Sequence, residues 1–87
     1  MTEEDLKLVF SPLCRRIRRK RLSIHVQIYR LEQEDGWTLE VENHKGGCTL
    51  WDDKFATDKV ALDEVMNVLE TEGIETFFVD PDKPTLH

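Results

Sequence analysis

The chain has 87 residues, 39% of them hydrophobic and 34% charged, and a formal net charge of −6 at pH 7. That is enough chain for one modest core, too little for two, and too apolar for a disordered polymer. The charge is uneven: eight basic and three acidic residues lie between Met1 and Arg30, against four basic and fifteen acidic from Leu31 to His87.

In chain order, Thr2 caps a predicted short helix with Glu3, Glu4 and Asp5 in its first turn, where the helix dipole favours negative charge. Leu6, Val9 and Phe10 supply its apolar edge, and Ser11-Pro12 interrupts or restarts it. Leu13, Cys14 and Ile17 are spaced to share one face of a further turn or two, with Arg15, Arg18 and Arg19 pointing outward. From Leu22 the period changes. Leu22, Ile24, Val26 and Ile28 alternate with Ser23, His25, Gln27 and Tyr29, which predicts a half-buried strand. Glu34-Asp35-Gly36 is a turn, and Trp37, Leu39 and Val41 alternate with Thr38, Glu40 and Glu42 in a second strand. Asn43-His44-Lys45-Gly46-Gly47 turns the chain into a short third strand from Cys48 to Trp51. Such short connections imply an antiparallel meander.

Thr57 is an N-cap with Asp58 in the first turn, and Ala61, Leu62, Val65, Met66 and Leu69 recur at helical spacing. Gly73 suits the left-handed residue that ends such a helix. Ile74 to Val79 reads as a short fourth strand or an extended segment over the core.

These elements predict an α+β fold: an antiparallel sheet of three strands, or four with Ile74–Val79, carrying the helix Thr57–Leu69 on one face and a short N-terminal helical segment. Residues 1–80 form the single domain and residues 81–87 a polar tail. The expected core is Ile24, Val26, Ile28, Leu39, Val41, Leu62, Val65, Met66 and Leu69. A domain this small would gain from dimerisation through a sheet edge or through Phe77-Phe78. No apolar stretch approaches the roughly 20 residues needed to span a bilayer. No basic leader precedes an apolar run, so the reading is cytoplasmic, with no membrane partner. Cys14 and Cys48 are then free thiols, Cys48 packed as a small hydrophobe.

The leading site is the run Arg15, Arg16, Arg18, Arg19, Lys20 and Arg21, which holds half of the chain's twelve Lys and Arg residues. Clustered cations neutralise phosphates without reading a base sequence, and they equally suit an acidic protein surface. The plainer alternative is a solvated helix end paired with the chain's own carboxylates. Trp37, in phase with Leu39 and Val41, belongs to the core. Trp51, in phase with Thr49, is the candidate exposed aromatic, on the outer face or at the sheet edge. His25, His44 and Cys48 lack the paired spacing of a zinc site, so no metal or other cofactor is expected.

No nucleophile elbow, phosphate loop or metalloprotease motif is present, and Asp52-Asp53 and Asp63-Glu64 read as surface acids, so no catalytic residue is assigned. The order helix, three-stranded meander, helix resembles the double-stranded-RNA-binding fold. That resemblance implies phosphate-binding lysines at the start of the last helix, where Thr57-Asp58-Lys59 offers a single Lys. The stretch from Gly36-Trp37 through Phe55-Ala56-Thr57 to Ala61 is similar to integrase-arm DNA-binding modules, which use a basic sheet face, whereas this second strand carries Glu40 and Glu42. The meander and helix are also similar to small antitoxin domains. These likenesses are generic, and no family is claimed. The expected function is a non-enzymatic interaction or regulatory module binding another protein. The alternatives are nucleic-acid binding through the basic run and self-association, as a homodimer or head to tail between surfaces of opposite charge.

Overall fold

The alternating stretch Leu22–Leu31 becomes the central strand of the sheet in the computed structural model, which describes residues 7–78. Ile24, Val26 and Ile28 point to one face and are fully buried. Five strands and a helix follow in chain order: β1 (Leu8–Phe10), β2 (Arg15–Arg19), β3 (Leu22–Leu31), β4 (Thr38–Asn43), β5 (Cys48–Leu50) and α1 (Asp58–Thr71). All strand pairs are antiparallel. On one side of β3, β4 sets Val26 against Val41 and Ile28 against Leu39, and β5 pairs with β4 beyond it. On the other side β1 and β2 lie end to end, Phe10 opposite Tyr29 and Ile17 opposite Ile24.

Two expectations change at this edge. The sheet has five strands among the described residues, not three, and the predicted helical turns around Leu13–Ile17 are replaced by an edge strand. Thr2 and its acidic first turn lie outside the described residues. Among the described residues, then, strands rather than a helix precede the meander, and the helix, meander, helix order is not found. Arg-Arg-Ile-Arg-Arg has one apolar residue to bury, and pairing Ile17 with Ile24 does so while every arginine stays in water. A two-residue turn, Lys20-Arg21, fixes that register. Both residues have positive φ, 54° and 70°, the sign of a type I′ hairpin turn whose twist matches the flanking strands. Asn-Gly is the usual choice there, and bulky side chains in this region cost about 1 kcal/mol or more each.

Ser11-Pro12 interrupts a strand rather than a helix. The Ser11 N–H still donates to the Ile28 carbonyl at 2.9 Å, and the Cys14 N–H closes the turn on the Ser11 carbonyl at 3.2 Å. Ser11 is buried, and its hydroxyl accepts from the Leu13 N–H and donates to the Asp58 carboxylate at 2.7 Å. That last bond ties the break in the edge to the start of α1.

Thr57 caps α1 as expected, its hydroxyl accepting from the Val60 N–H at 3.1 Å. Ala61, Val65 and Leu69, four residues apart, are buried against β3 and β4, with Leu62 and Met66 partly buried beside them. The helix runs to Thr71, two residues past the expected end. Gly73 then takes φ +89° and donates to the Leu69 carbonyl, the left-handed cap the sequence implied. Ile74–Phe78 is a 3-10 helix, not a fourth strand, and it closes the core with Ile74 and Phe77. Phe77 is 4% exposed and belongs to the core, whereas Phe78 is only partly buried against it. Phe78 packs edge-on against the His44 ring, 5.1 Å between centroids.

Asn43, also buried, fastens this closing turn to the sheet. Its Nδ2 donates to the Phe77 carbonyl at 2.8 Å, while its Oδ1 accepts from the N–H groups of Lys45 and Gly47. A Cβ on residue 47 would fall 2.5 Å from that Nδ2, so the turn needs glycine there. No described helix is long and apolar enough to cross a membrane.

Candidate functional site

With α1 on one face of the sheet, the opposite face is open, and strand alternation decides what stands on it. Arg16 and Arg18 share that face with their β3 partners His25 and Ser23. Ile17 turns to the core side, flanked by Arg15 and Arg19, and Lys20 and Arg21 form the hairpin tip. The basic run is therefore not one helical face. It is a projecting edge hairpin with cations on both faces and at its end, and all six side chains are exposed. Among the described residues, none of its five arginines makes an ion pair, and only Lys20 does, with Glu75 at 3.7 Å. Both partners are exposed, so that pair is worth little. Arg15 spends its Nε on the Leu13 carbonyl at 3.0 Å.

Across the open face, one row runs Arg16, His25, Glu42 and Cys48 over β2, β3, β4 and β5, and a second runs Gln27, Glu40 and Leu50. At about 4.8 Å per strand, the backbone passes from Arg16 to Glu42 in about 10 Å. An open depression of about 300 Å³ lies along the first row, lined by Arg16, Ser23, His25, Glu42, His44 and Gly46. The His44 Nδ1 accepts from the Ser23 N–H at 3.0 Å. A backbone N–H only donates, so Nδ1 is bare and the ring's proton sits on Nε2.

Glu40 organises the neighbouring row. Its carboxylate accepts from the Tyr29 hydroxyl at 3.0 Å and from the Cys48 thiol at 2.8 Å. Partial desolvation, the hydrogen bond to Glu40 and then the charges of Glu40 and Glu42 push the thiol from 9.0 to about 11. Desolvation and the same carboxylate raise Tyr29 above its ordinary value. Cys48 is thus an exposed thiol held protonated, not the packed small hydrophobe expected, and it is a poor nucleophile. His25, His44 and Cys48 do not converge on one point: the His44 Nδ1 is used on Ser23 and the thiol on Glu40. Among the described residues no three His, Cys, Asp or Glu side chains are grouped to hold a metal ion.

The two tryptophans both pack partly against the core. Trp37 exchanges backbone hydrogen bonds with Phe55 at 2.8 Å each, and the Arg30 guanidinium lies 5.1 Å from its ring. Trp51, the candidate exposed aromatic, is half-buried on the helix side, 6.2 Å from Phe77, with its Nε1 donating to Glu64 at 3.4 Å. The aromatics that do face outward are Phe10, 53% exposed, and Tyr29 beneath it at 5.5 Å. The acids divide as well: Glu40 and Glu42 stand on the open face, whereas Asp63 is on α1 across the sheet, paired with Lys59. They do not form a single acidic surface.

Sequence reading found the basic residues but missed the free backbone edge that carries them. Nothing local marked it: Lys20-Arg21 is not a hairpin-turn dipeptide, and the match of Ile17 with Ile24 across it is visible only once the turn is placed. The chain matches no protein family, no curated protein and no solved structure.

Proposed function

We propose that this domain is a non-enzymatic interaction module that binds an acidic segment of another protein through the β2–β3 hairpin. The observation that carries this reading is the concentration of five arginines and Lys20 on one free sheet edge and its turn. The arginines have no ion-pair partners among the described residues. A surface of this kind raises association rates with an acidic partner and weakens with salt. Nucleic acid would meet the same cations, but Glu40 and Glu42 stand beside them on the open face and repel phosphate. That favours a partner which approaches the edge rather than the sheet face.

The test is fluorescence anisotropy with labelled poly-glutamate and with single- and double-stranded DNA and RNA, at low and physiological salt. A variant with Arg18, Arg19, Lys20 and Arg21 changed to Gln runs in parallel. Poly-glutamate binding that is salt-sensitive and lost in the variant supports the proposal. Nucleic acid bound more tightly than poly-glutamate at physiological salt transfers the hairpin to nucleic-acid recognition. Absence of binding at low salt reduces its charge to a guard against edge-to-edge aggregation.

A further inference from the structure

Resting on that reading, we infer that the partner is an extended acidic strand that adds to the free edge of β2, with an acidic-acidic-apolar-acidic-acidic pattern. The argument begins with the backbone. Ser23 gives its N–H to His44 Nδ1 and its carbonyl to the His44 N–H, both on the β4 side. Its β2 partner Arg18 is therefore not bonded to it, and strand alternation puts the N–H and C=O of Arg18 and Arg16 on the outer edge. Arg15, Ile17 and Arg19 are the residues whose backbone faces β3. Two donors and two acceptors thus line an edge that pairs with no other strand among the described residues.

The side chains define what fits. A strand paired antiparallel to β2 meets Arg16 and Arg18 on the open face, and Arg15, Ile17 and Arg19 on the helix side. Opposite charge directly across a strand pair is favourable and like charge is not. Glutamates opposite the four arginines and an aliphatic residue opposite Ile17 complete the match. The same rule rejects a second copy on this edge. Antiparallel pairing of two β2 strands about Ile17 would set Arg16 against Arg18 and Arg15 against Arg19. The edge thus refuses itself and accepts an acidic strand, a selection by repulsion as well as attraction. Its length is bounded by the Ser11–Cys14 break at one end and the Lys20-Arg21 turn at the other, leaving five residues for pairing. Main-chain bonds then supply affinity while alternate side chains supply specificity.

The probe is a fluorescein-labelled nine-residue peptide containing Glu-Glu-Val-Glu-Glu, compared with a copy N-methylated at the second and fourth of those residues, which oppose Arg18 and Arg16. Both peptides carry the same charge. Strand addition predicts that methylation weakens binding by about tenfold or more, the effect of losing even one backbone hydrogen bond. On the protein side, Arg18→Gln removes the charge, and Arg18→Pro removes the charge and the outward N–H together. Proline is tolerated on an outward edge position, and circular dichroism checks that the variant folds. Arg18→Pro should bind about tenfold more weakly than Arg18→Gln. Equal binding of both peptides, with both lost in the four-site Gln variant, overturns strand addition and leaves charge recognition by the hairpin standing. No binding of either peptide at low salt overturns both. If Arg18→Pro fails to fold, the methylated peptide against the native protein still decides.

Discussion

The Cys14 thiol takes the place beside the Ile28 N–H that a strand carbonyl would otherwise fill, while the Ile28 carbonyl keeps the Ser11 N–H. Its Sγ accepts from the Ile28 N–H at 3.2 Å and donates to the Ile28 carbonyl at 3.4 Å. Ile28 is fully buried, and the turn at Ser11–Cys14 takes the neighbouring chain out of the ladder at this point. The sulfur keeps a buried N–H from being orphaned.

Replacing Cys14 with Ala should therefore cost more than a lost methyl-sized contact. The expected loss is about 1–3 kcal/mol in urea denaturation, because the Ile28 N–H loses its acceptor. Cys14→Ser keeps an acceptor at that place and should recover part of the loss. Equal stability of the Ala variant and the parent would show that water satisfies the Ile28 N–H.

The hairpin tip should trade stability for binding. Changing Lys20 to Asn and Arg21 to Gly puts turn-forming residues where φ is 54° and 70°. The double variant should gain about 1–2 kcal/mol on thermal or urea unfolding by relieving that strain. It should also bind poly-glutamate more weakly, since two of the six clustered cations are gone. Stabilisation with unchanged binding would confine recognition to the arginines of β2.

Alkaline pH should loosen the fold through the Glu40 cluster. Between about 9.0 and about 11 the unfolded chain has released the Cys48 proton that the folded chain retains. Rising pH across that window therefore favours unfolding, and the raised Tyr29 acts in the same direction. Urea midpoints should fall from pH 9 to pH 11. Glu40→Gln, which removes the charge both groups face, should flatten that fall. It should also speed iodoacetamide labelling of Cys48 at pH 8, where a thiol near 11 is only about one part in a thousand ionised.

Asn43 should be the most costly polar substitution in the β4–β5 turn. Asn43→Ala strips partners from the Phe77 carbonyl and from the N–H groups of Lys45 and Gly47. A loss of about 2–4 kcal/mol is expected, with the near-ultraviolet signal of Trp51 altered because Phe77 packs beside it. A loss below about 0.5 kcal/mol would show that the closing 3-10 turn is held by Ile74 and Phe77 packing alone.

Local pattern by itself determined the centre of this protein. The alternation through Ile24, Val26 and Ile28, its echo in Leu39 and Val41, and the Thr57 to Gly73 helix with its Ala61, Val65 and Leu69 stripe all follow from residues that report which side of their own element is buried. The clustering of six cations was equally plain. Tertiary structure decided the edge and the site. Ile17 is the lone apolar residue within Arg15–Arg19, so nothing local separates a helical turn from a strand there. The pairing of Ile17 with Ile24 settles it, through a turn whose residues carry no hairpin signature. Ile74–Phe78 reads as a strand or an extended segment until α1 returns the chain over the sheet as a 3-10 turn, and Cys48 reads as apolar until β5 sets it beside Glu40. Element interiors are specified by contacts along the chain, whereas an edge and the chemistry on its face depend on partners distant in sequence.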